Sequence, residues 1–338
     1  MIIKNTVSRD DSIYEAWPDL VMTDSGKLIC VFSECTHHVD REAARLMLTE
    51  SYDRGYTWTA KHPLTEKGTA KDFFNCARIT KLRDGRLVIL ADRVLGNENG
   101  KAEIYMWYGD QDGEVWSEPI AFPFCGIVPD RLLELENGRQ LIFAHFKSPD
   151  TEKLEQYCWY SDDGGKTWSD RVTVAADLRY NLCEASAIVC EGGEIVVFLR
   201  ENSFEGHPIF KVISYDNGET WSEVYPTRMA CGHRPTAGYL RDGRVMVTYR
   251  FIPWGYNNIF ASVMKKEDLL STVLKEQSVR TLPLDYDRHP SPDLGYTGWV
   301  QFENGEIYLV NYIKDDADKA YIRGCRFTEE DIMLPVKE

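Results

Sequence analysis

Ser51-Tyr52-Asp53-Arg54-Gly55-Tyr56-Thr57-Trp58 recurs as Ser161-Asp162-Asp163-Gly164-Gly165-Lys166-Thr167-Trp168 and as Ser214-Tyr215-Asp216-Asn217-Gly218-Glu219-Thr220-Trp221. The shared pattern, S-x-D-x-G-x-x-W, has a physical logic. Short Ser and Asp side chains bond nearby backbone amides, Gly permits a tight turn, and Trp packs that turn onto its surroundings. A worn copy runs from Gly109 to Trp116 and keeps only Gly113 and Trp116. Their turn chemistry predicts structural boxes, not catalytic ones.

Outward from these boxes lies a second repeat. Asp19-Leu20-Val21-Met22-Thr23-Asp24-Ser25-Gly26-Lys27-Leu28-Ile29-Cys30-Val31-Phe32 is an apolar run, a turn, and another apolar run. The unit returns around Asp84-Gly85, Asn137-Gly138, Gly192-Gly193, Asp242-Gly243 and Asn304-Gly305. Turn pairs that tolerate positive φ, flanked by Val, Ile, Leu, Phe and Tyr, read as β-hairpins. Six copies at intervals of about 45 to 60 residues have the period of propeller blades. The expected fold is all-β: a single six-bladed β-propeller over 1–338, with blades near 10–60, 65–120, 121–170, 175–223, 225–282 and 285–325. A strand near Ile2–Val7 is expected to close the last blade, because closure leaves no open sheet edge. Only a short stretch near Lys265–Leu274 reads as helical.

Composition narrows the function. The chain has 338 residues, 43% hydrophobic and 28% charged, enough to bury a sizeable core. Thirty-nine Lys and Arg face 54 Asp and Glu, a net charge of −15. Phosphate backbones and anionic membranes both demand surplus cations, so neither is an expected partner. No run reaches the roughly 18 apolar residues of a membrane span. The nine cysteines are scattered without a CxxC pair, which predicts free thiols in a reducing, cytoplasmic setting. No phosphate loop or nucleotide fingerprint appears, so no cofactor is expected. His37-His38 with Asp40 lacks regular ligand spacing, and no metal site is expected.

The hairpin register locates a candidate site. Nine residues before each turn glycine stand Trp17, Cys76, Pro129, Glu184, Arg234 and Tyr296. Seven before stand Asp19, Arg78, Arg131, Ser186, Thr236 and Gly298; seven after stand Ser33, Asp92, His145, Arg200, Arg250 and Tyr312. Both distant ends of a hairpin lie together, away from its turn. A ring of six therefore gathers Glu184, Arg78, Arg131, Arg200, Arg234, Arg250, His145 and Tyr296 on one face. Arginines collected on one face of an acidic chain fit an anionic ligand, although each also finds pairing partners in neighbouring carboxylates.

The S-x-D-x-G-x-x-W box resembles the Asp-box of the sialidase superfamily, whose propeller also has six blades. The resemblance covers about Trp17 to Tyr312. It implies that Tyr296, in Asp293-Leu294-Gly295-Tyr296, is the nucleophile and Glu184 its base. A phenol with a pKa near 10 needs a carboxylate to take its proton. Arg200, sixteen residues after Glu184, and Arg234, in Gly232-His233-Arg234-Pro235-Thr236, resemble substrate-carboxylate ligands. Asp40 fits the interval of the family's acid/base, with His37 and His38 beside it as alternatives suited to proton transfer.

The chain also departs from that pattern. The family's first-blade arginine is replaced in Ala16-Trp17-Pro18, and its glutamate partner is missing from Asn311-Tyr312-Ile313. A buried carboxylate without its arginine would be costly, so the two losses belong together. Trp17 either stacks on a sugar or fills core. The expected function is exo-hydrolysis of an anionic or deoxy sugar. Two alternatives remain: a lyase on a uronate-containing glycan, using His145, His233 or His289, and a non-catalytic sugar-binding propeller. The oligomeric state stays open.

Overall fold

The structure, a computed structural model, describes residues 1–96, 102–253 and 257–332. Its strands form six four-stranded antiparallel sheets. Five sheets follow chain order, spanning Tyr14–Pro63, Asp72–Cys125, Leu133–Ala175, Leu182–Pro226 and Gly232–Tyr286. The sixth takes Leu294–Gln301, Ile307–Ile313 and Tyr321–Phe327, then adds Ile3–Ser8 as its outer strand. The expected closing strand is therefore present, paired from Ile3 with Arg326 to Ser8 with Ile322. The stretch near Lys265–Leu274 forms only the 3-10 turns Lys266–Leu269 and Leu274–Glu276. Parts of the expected blades two and five, and the end of the expected 1–338 span, lie outside the described residues.

The second strand of each blade explains why these segments read as continuous apolar runs. Leu28–Cys35 and Ile195–Glu201 are buried at every position, because a neighbouring blade covers each face. Six apolar clusters result, one per blade boundary. One packs Val21, Ile29 and Val31 against Ile79, Leu87 and Ile89; another joins Phe32 and Leu28 to Tyr308 and Val310, sealing the last blade to the first.

Each box clasps the preceding blade. The Ser51 hydroxyl accepts from the Gly55 amide at 2.7 Å, and Asp53 accepts from the Thr57 amide at 2.8 Å. The Trp58 indole then donates to the Tyr308 hydroxyl in the last blade at 3.1 Å. The boxes at Ser161 and Ser214 repeat the Ser and Asp bonds, while the Trp168 indole donates to the Gly165 carbonyl of its own box at 3.2 Å. In the worn copy Asp110 takes the aspartate's part, accepting from the Glu114 amide at 2.8 Å.

The innermost strands share an unusual backbone. Trp17, Cys76, Val128, Glu184, Arg234 and Tyr296 all lie in the left-handed region, with φ from 34° to 56°. The ladder slips at the same point in five blades, for example between Cys183 and Ser186 and between His233 and Thr236. These are β-bulges, which re-aim a side chain at a cost of about 1–3 kcal/mol for a non-glycine residue. The register count finds five of the six. In blade three it points to Pro129, whose ring holds φ negative, so the bulge moves back to Val128.

Below the bulges, charged groups tie the blades across the axis. Asp19, fully buried, accepts from the Ile79 amide at 2.9 Å and from Arg131 Nε at 2.9 Å, and lies 3.5 Å from Arg78 Nε. Arg78 also donates to the Thr297 carbonyl and the Thr236 hydroxyl. Arg78 and Arg131 are therefore not ligand residues as expected: they stand two and three residues beyond their bulges and are consumed by internal carboxylates and carbonyls. Gly298 completes the contact, since a methyl there would lie 2.4 Å from the Leu20 nitrogen.

Asp92 is the opposite case. Its carboxyl is buried, and among the described residues neither oxygen has a hydrogen-bond partner. Burial pushes it up to about 7, outweighing the pull of nearby amides and of Arg41.

Two predictions follow from these groups. Asp19→Asn strands two arginines and is expected to lower unfolding free energy by about 3–5 kcal/mol, measured by urea denaturation. Asp92 has a raised folded value, so its contribution is intact below the unfolded pKa and is lost as pH rises toward 7. Asp92→Asn is therefore expected to stabilise by about 2–4 kcal/mol at pH 8 and by little at pH 4.

Candidate functional site

The bulged residues open a cavity of about 580 Å³ on the face away from the hairpin turns. Trp17, Cys76, Val128, Glu184 and Tyr296 line it directly. Arg200, Arg250 and Tyr312, from the far ends of the second strands, complete the wall with His38, Arg41, Asn75 and Phe204.

Glu184 and Tyr296 meet across two blades. The Tyr296 hydroxyl donates to Glu184 Oε1 at 2.7 Å, and Arg200 Nη1 donates to the same oxygen at 2.9 Å. Burial alone would raise the Glu184 carboxyl, but the Arg200 and Arg234 charges hold it well below the usual range. Burial, reinforced by the Glu184 charge, pushes the Tyr296 phenol well above its ordinary value. The resting pair is thus a neutral phenol on a carboxylate. Glu184 Oε2 is buried without a partner among the described residues.

Arg234 and Arg250 divide the roles expected of one residue. Arg234 is fully buried and does not line the cavity. It donates to the Ala185 and Pro129 carbonyls, and its guanidinium stands 5.2 Å from the Tyr296 ring. Arg250 lines the cavity, and among the described residues its Nε has no partner. The same hairpin register contained Arg250; the weaker loop match to Arg234 obscured it.

Three other candidates lie outside the wall. His145 sits behind Glu184, its Nδ1 accepting from the Glu184 amide at 3.3 Å, and burial lowers it to about 4. His233 is buried, pushed down to about 2 by burial and the nearby Arg200 and Arg250 charges. His289 bonds the Ser291 carbonyl at 2.9 Å. None of the three is among the cavity residues.

The loop after the first hairpin rearranges expectation most. Asp40 is exposed, and its carboxylate accepts from the Glu42 amide at 3.1 Å, capping its own turn. It does not reach the cavity; His38 and Arg41 do. The Arg41 guanidinium stacks 3.7 Å from the Trp17 ring centre. One face of Trp17 is thereby covered, and the ring is 3% exposed within the core that seals blade six to blade one. Arg41 thus places a cation on the cavity wall from a loop that hairpin counting does not cover. Phe204, 65% exposed, rims the opening above Arg200.

A second network faces Glu184. Asp293 Oδ2 receives the Tyr14 hydroxyl and lies 2.8 Å from His38 Nδ1, while Tyr312 donates to Oδ1 at 3.2 Å. Tyr312 in turn accepts from Arg250 at 3.4 Å. Burial raises the Asp293 carboxyl, but the His38 bond and charge, the Tyr14 bond and the Arg250 charge outweigh it and hold it below its ordinary value.

Comparison with known proteins agrees with this architecture. Residues 79–309 match the model of the BNR repeat-like domain. A sialidase from Bacteroides fragilis (strain YCH46) is 24% identical over 260 residues, covering 65% of this chain and 45% of that protein. The chain spans about half the length of the curated relatives it matches. A protein of unknown function from Dyadobacter fermentans superposes with a TM-score of 0.82 at 20% identity, covering 96% of this chain and 98% of that one. The Hadza microbial sialidase superposes at 0.72 with 18% identity, covering 98% and 69%. Six blades, a bulged inner strand in each and a family match over most of the ring lead to one conclusion: the chain belongs to the BNR repeat-like domain family, within the sialidase-like superfamily.

Proposed function

We propose that this protein is an exo-acting, retaining glycoside hydrolase for a sugar that carries a carboxylate. One observation carries the reading: the 2.7 Å bond from the Tyr296 hydroxyl to Glu184 inside a cavity walled by Arg200, Arg250 and Arg41. A carboxylate beside the anomeric carbon would repel an anionic nucleophile. A neutral phenol avoids that repulsion and becomes nucleophilic only as its proton leaves.

The arginines supply both binding and timing. At rest Arg200 is bonded to Glu184 and depresses its basicity. A substrate carboxylate that draws Arg200 and Arg250 toward itself weakens that hold, and Glu184 becomes a better base when the site is filled. Tyr296 attacks the anomeric carbon as its proton passes to Glu184, and the covalent intermediate preserves configuration after water completes the second step. Arg234, over the Tyr296 ring, stabilises the phenolate that returns as leaving group.

The lyase alternative loses support, because the histidines named for it do not line the cavity. A purely binding propeller has no need of a phenol bonded to a buried carboxylate inside that cavity.

The test is product analysis on sialosides, uronate-terminated oligosaccharides and rhamnosides, read by mass and near-ultraviolet absorbance. Gain of water without absorbance is expected; an unsaturated, absorbing product would establish a lyase instead. Tyr296→Phe is expected to lose about 1,000-fold or more in kcat while still binding product in calorimetry. Arg41→Ala is expected to raise KM by about 10-fold on carboxylate-bearing sugars, with a smaller change on the matching neutral sugar.

A further inference from the structure

We infer that the proton donor to the leaving group is His38, held by Asp293 and Tyr14, and not an aspartate of the same loop. The inference rests on the hydrolase reading above and names the acid which that reading leaves unassigned.

The geometry separates the two ring nitrogens of His38. Nδ1 faces Asp293 Oδ2 at 2.8 Å and the Tyr14 hydroxyl at 3.2 Å. A carboxylate only accepts, so Nδ1 donates to it. Nε2 has no hydrogen-bond partner among the described residues, and the ring borders the same cavity as Tyr296. A histidine whose Nδ1–H is fixed on a carboxylate presents Nε2 as its one exchangeable position. Edge contact with Trp17 at 5.3 Å and Tyr312 at 6.5 Å fixes the ring plane.

The loop is built to hold this residue. The His37 amide donates to the Asp40 carbonyl at 2.9 Å, and the Asp40 amide returns a bond to the His37 carbonyl at 3.1 Å. Lys319 reaches over to the Thr36 carbonyl at 2.6 Å. These bonds turn Asp40 outward and His38 inward. Asp293 is fixed in turn by its backbone amide, which donates to Asp287 Oδ2 at 2.9 Å. The groups that face His38 are Tyr14 from the first inner strand, Asp293 and Tyr312 from the last blade, and His37 and Arg41 from its own loop. Arg250 acts through Tyr312. Arg41 on the Trp17 ring and Arg250 on the Tyr312 hydroxyl are one ring removed from it, and Asp293 is the carboxylate bonded to it.

The proton balance closes. In the first step the glycosidic C–O bond breaks and its oxygen takes the proton from His38 Nε2. The Tyr296 oxygen bonds the anomeric carbon and its proton moves to Glu184. In the second step water gives a proton to Nε2 and its oxygen bonds the anomeric carbon. The Tyr296 oxygen leaves and recovers its proton from Glu184. No further reactant is required.

The experiment compares good and poor leaving groups on whichever sugar of the panel is turned over, as its 4-nitrophenyl and methyl glycosides. His38→Asn is expected to lose about 100-fold or more in kcat/KM on the methyl glycoside and less than about 10-fold on the 4-nitrophenyl glycoside. It should also lose the alkaline limb of the pH profile, since the acid must be protonated to act. Asp40→Ala is expected to match the wild type on both. Thermal melts check folding, and His38→Gln serves as the second variant. Equal losses on both glycosides, or the leaving-group split appearing in Asp40→Ala, would overturn the assignment while leaving the hydrolase reading intact. A wild-type protein that hydrolyses nothing in the panel would overturn both.

Discussion

The site depends on one backbone constraint, a left-handed residue at the same point of every inner strand. A flat strand would alternate its side chains between the two blade interfaces, where apolar clusters leave no room for charge. The bulge breaks that alternation and turns one side chain per blade toward the axis. At Glu184 and Tyr296 the turned side chains meet as a base and a phenol. At Arg234 the turned side chain becomes a buried cation behind that pair. At Trp17 it becomes a platform for Arg41. Cys76 and Val128, small and uncharged, leave the space that the cavity occupies.

Charge is layered along the same axis. The lower layer is closed, with Asp19 neutralised by Arg78 and Arg131. The upper layer is open, with Arg200, Arg250 and Arg41 facing a cavity that holds one carboxylate. Between them Arg234 Nε and Glu184 Oε2, unpartnered among the described residues, mark groups desolvated by the fold and only partly compensated. Such incomplete pairing is costly for stability and useful for a ligand that completes it.

Hairpin chemistry made the ring legible from sequence. The turn glycines take φ values of 85° to 91°, so the dipeptides that announce them are required by the backbone. Counting from them located five bulges, Arg200 and Tyr312. The count erred at Pro129, where ring geometry overrides register. It also could not separate the layers: Arg78 and Arg250 look alike in sequence, and only the carboxylates beside Arg78 distinguish them. The loop carrying His38 and Arg41 was beyond its reach, because cross-blade hydrogen bonds and not local periodicity decide which side chain points inward. Asp40 sits in the expected interval yet caps its own turn, while the Asp293 that orients His38 lies in the last blade.

Closure by Ile3–Ser8 has a consequence for the nascent chain. Its ladder partner ends the ring, with Ile3 opposite Arg326, so at 5–20 residues per second the early strand waits on the order of 15–60 s for it. The clasp at Trp58 waits as long, because its acceptor is Tyr308. During that interval the first blade carries an unpaired apolar face on the side that blade six will cover. The burden on chaperones is therefore set at the seam of the ring, in the blade that is made first and completed last.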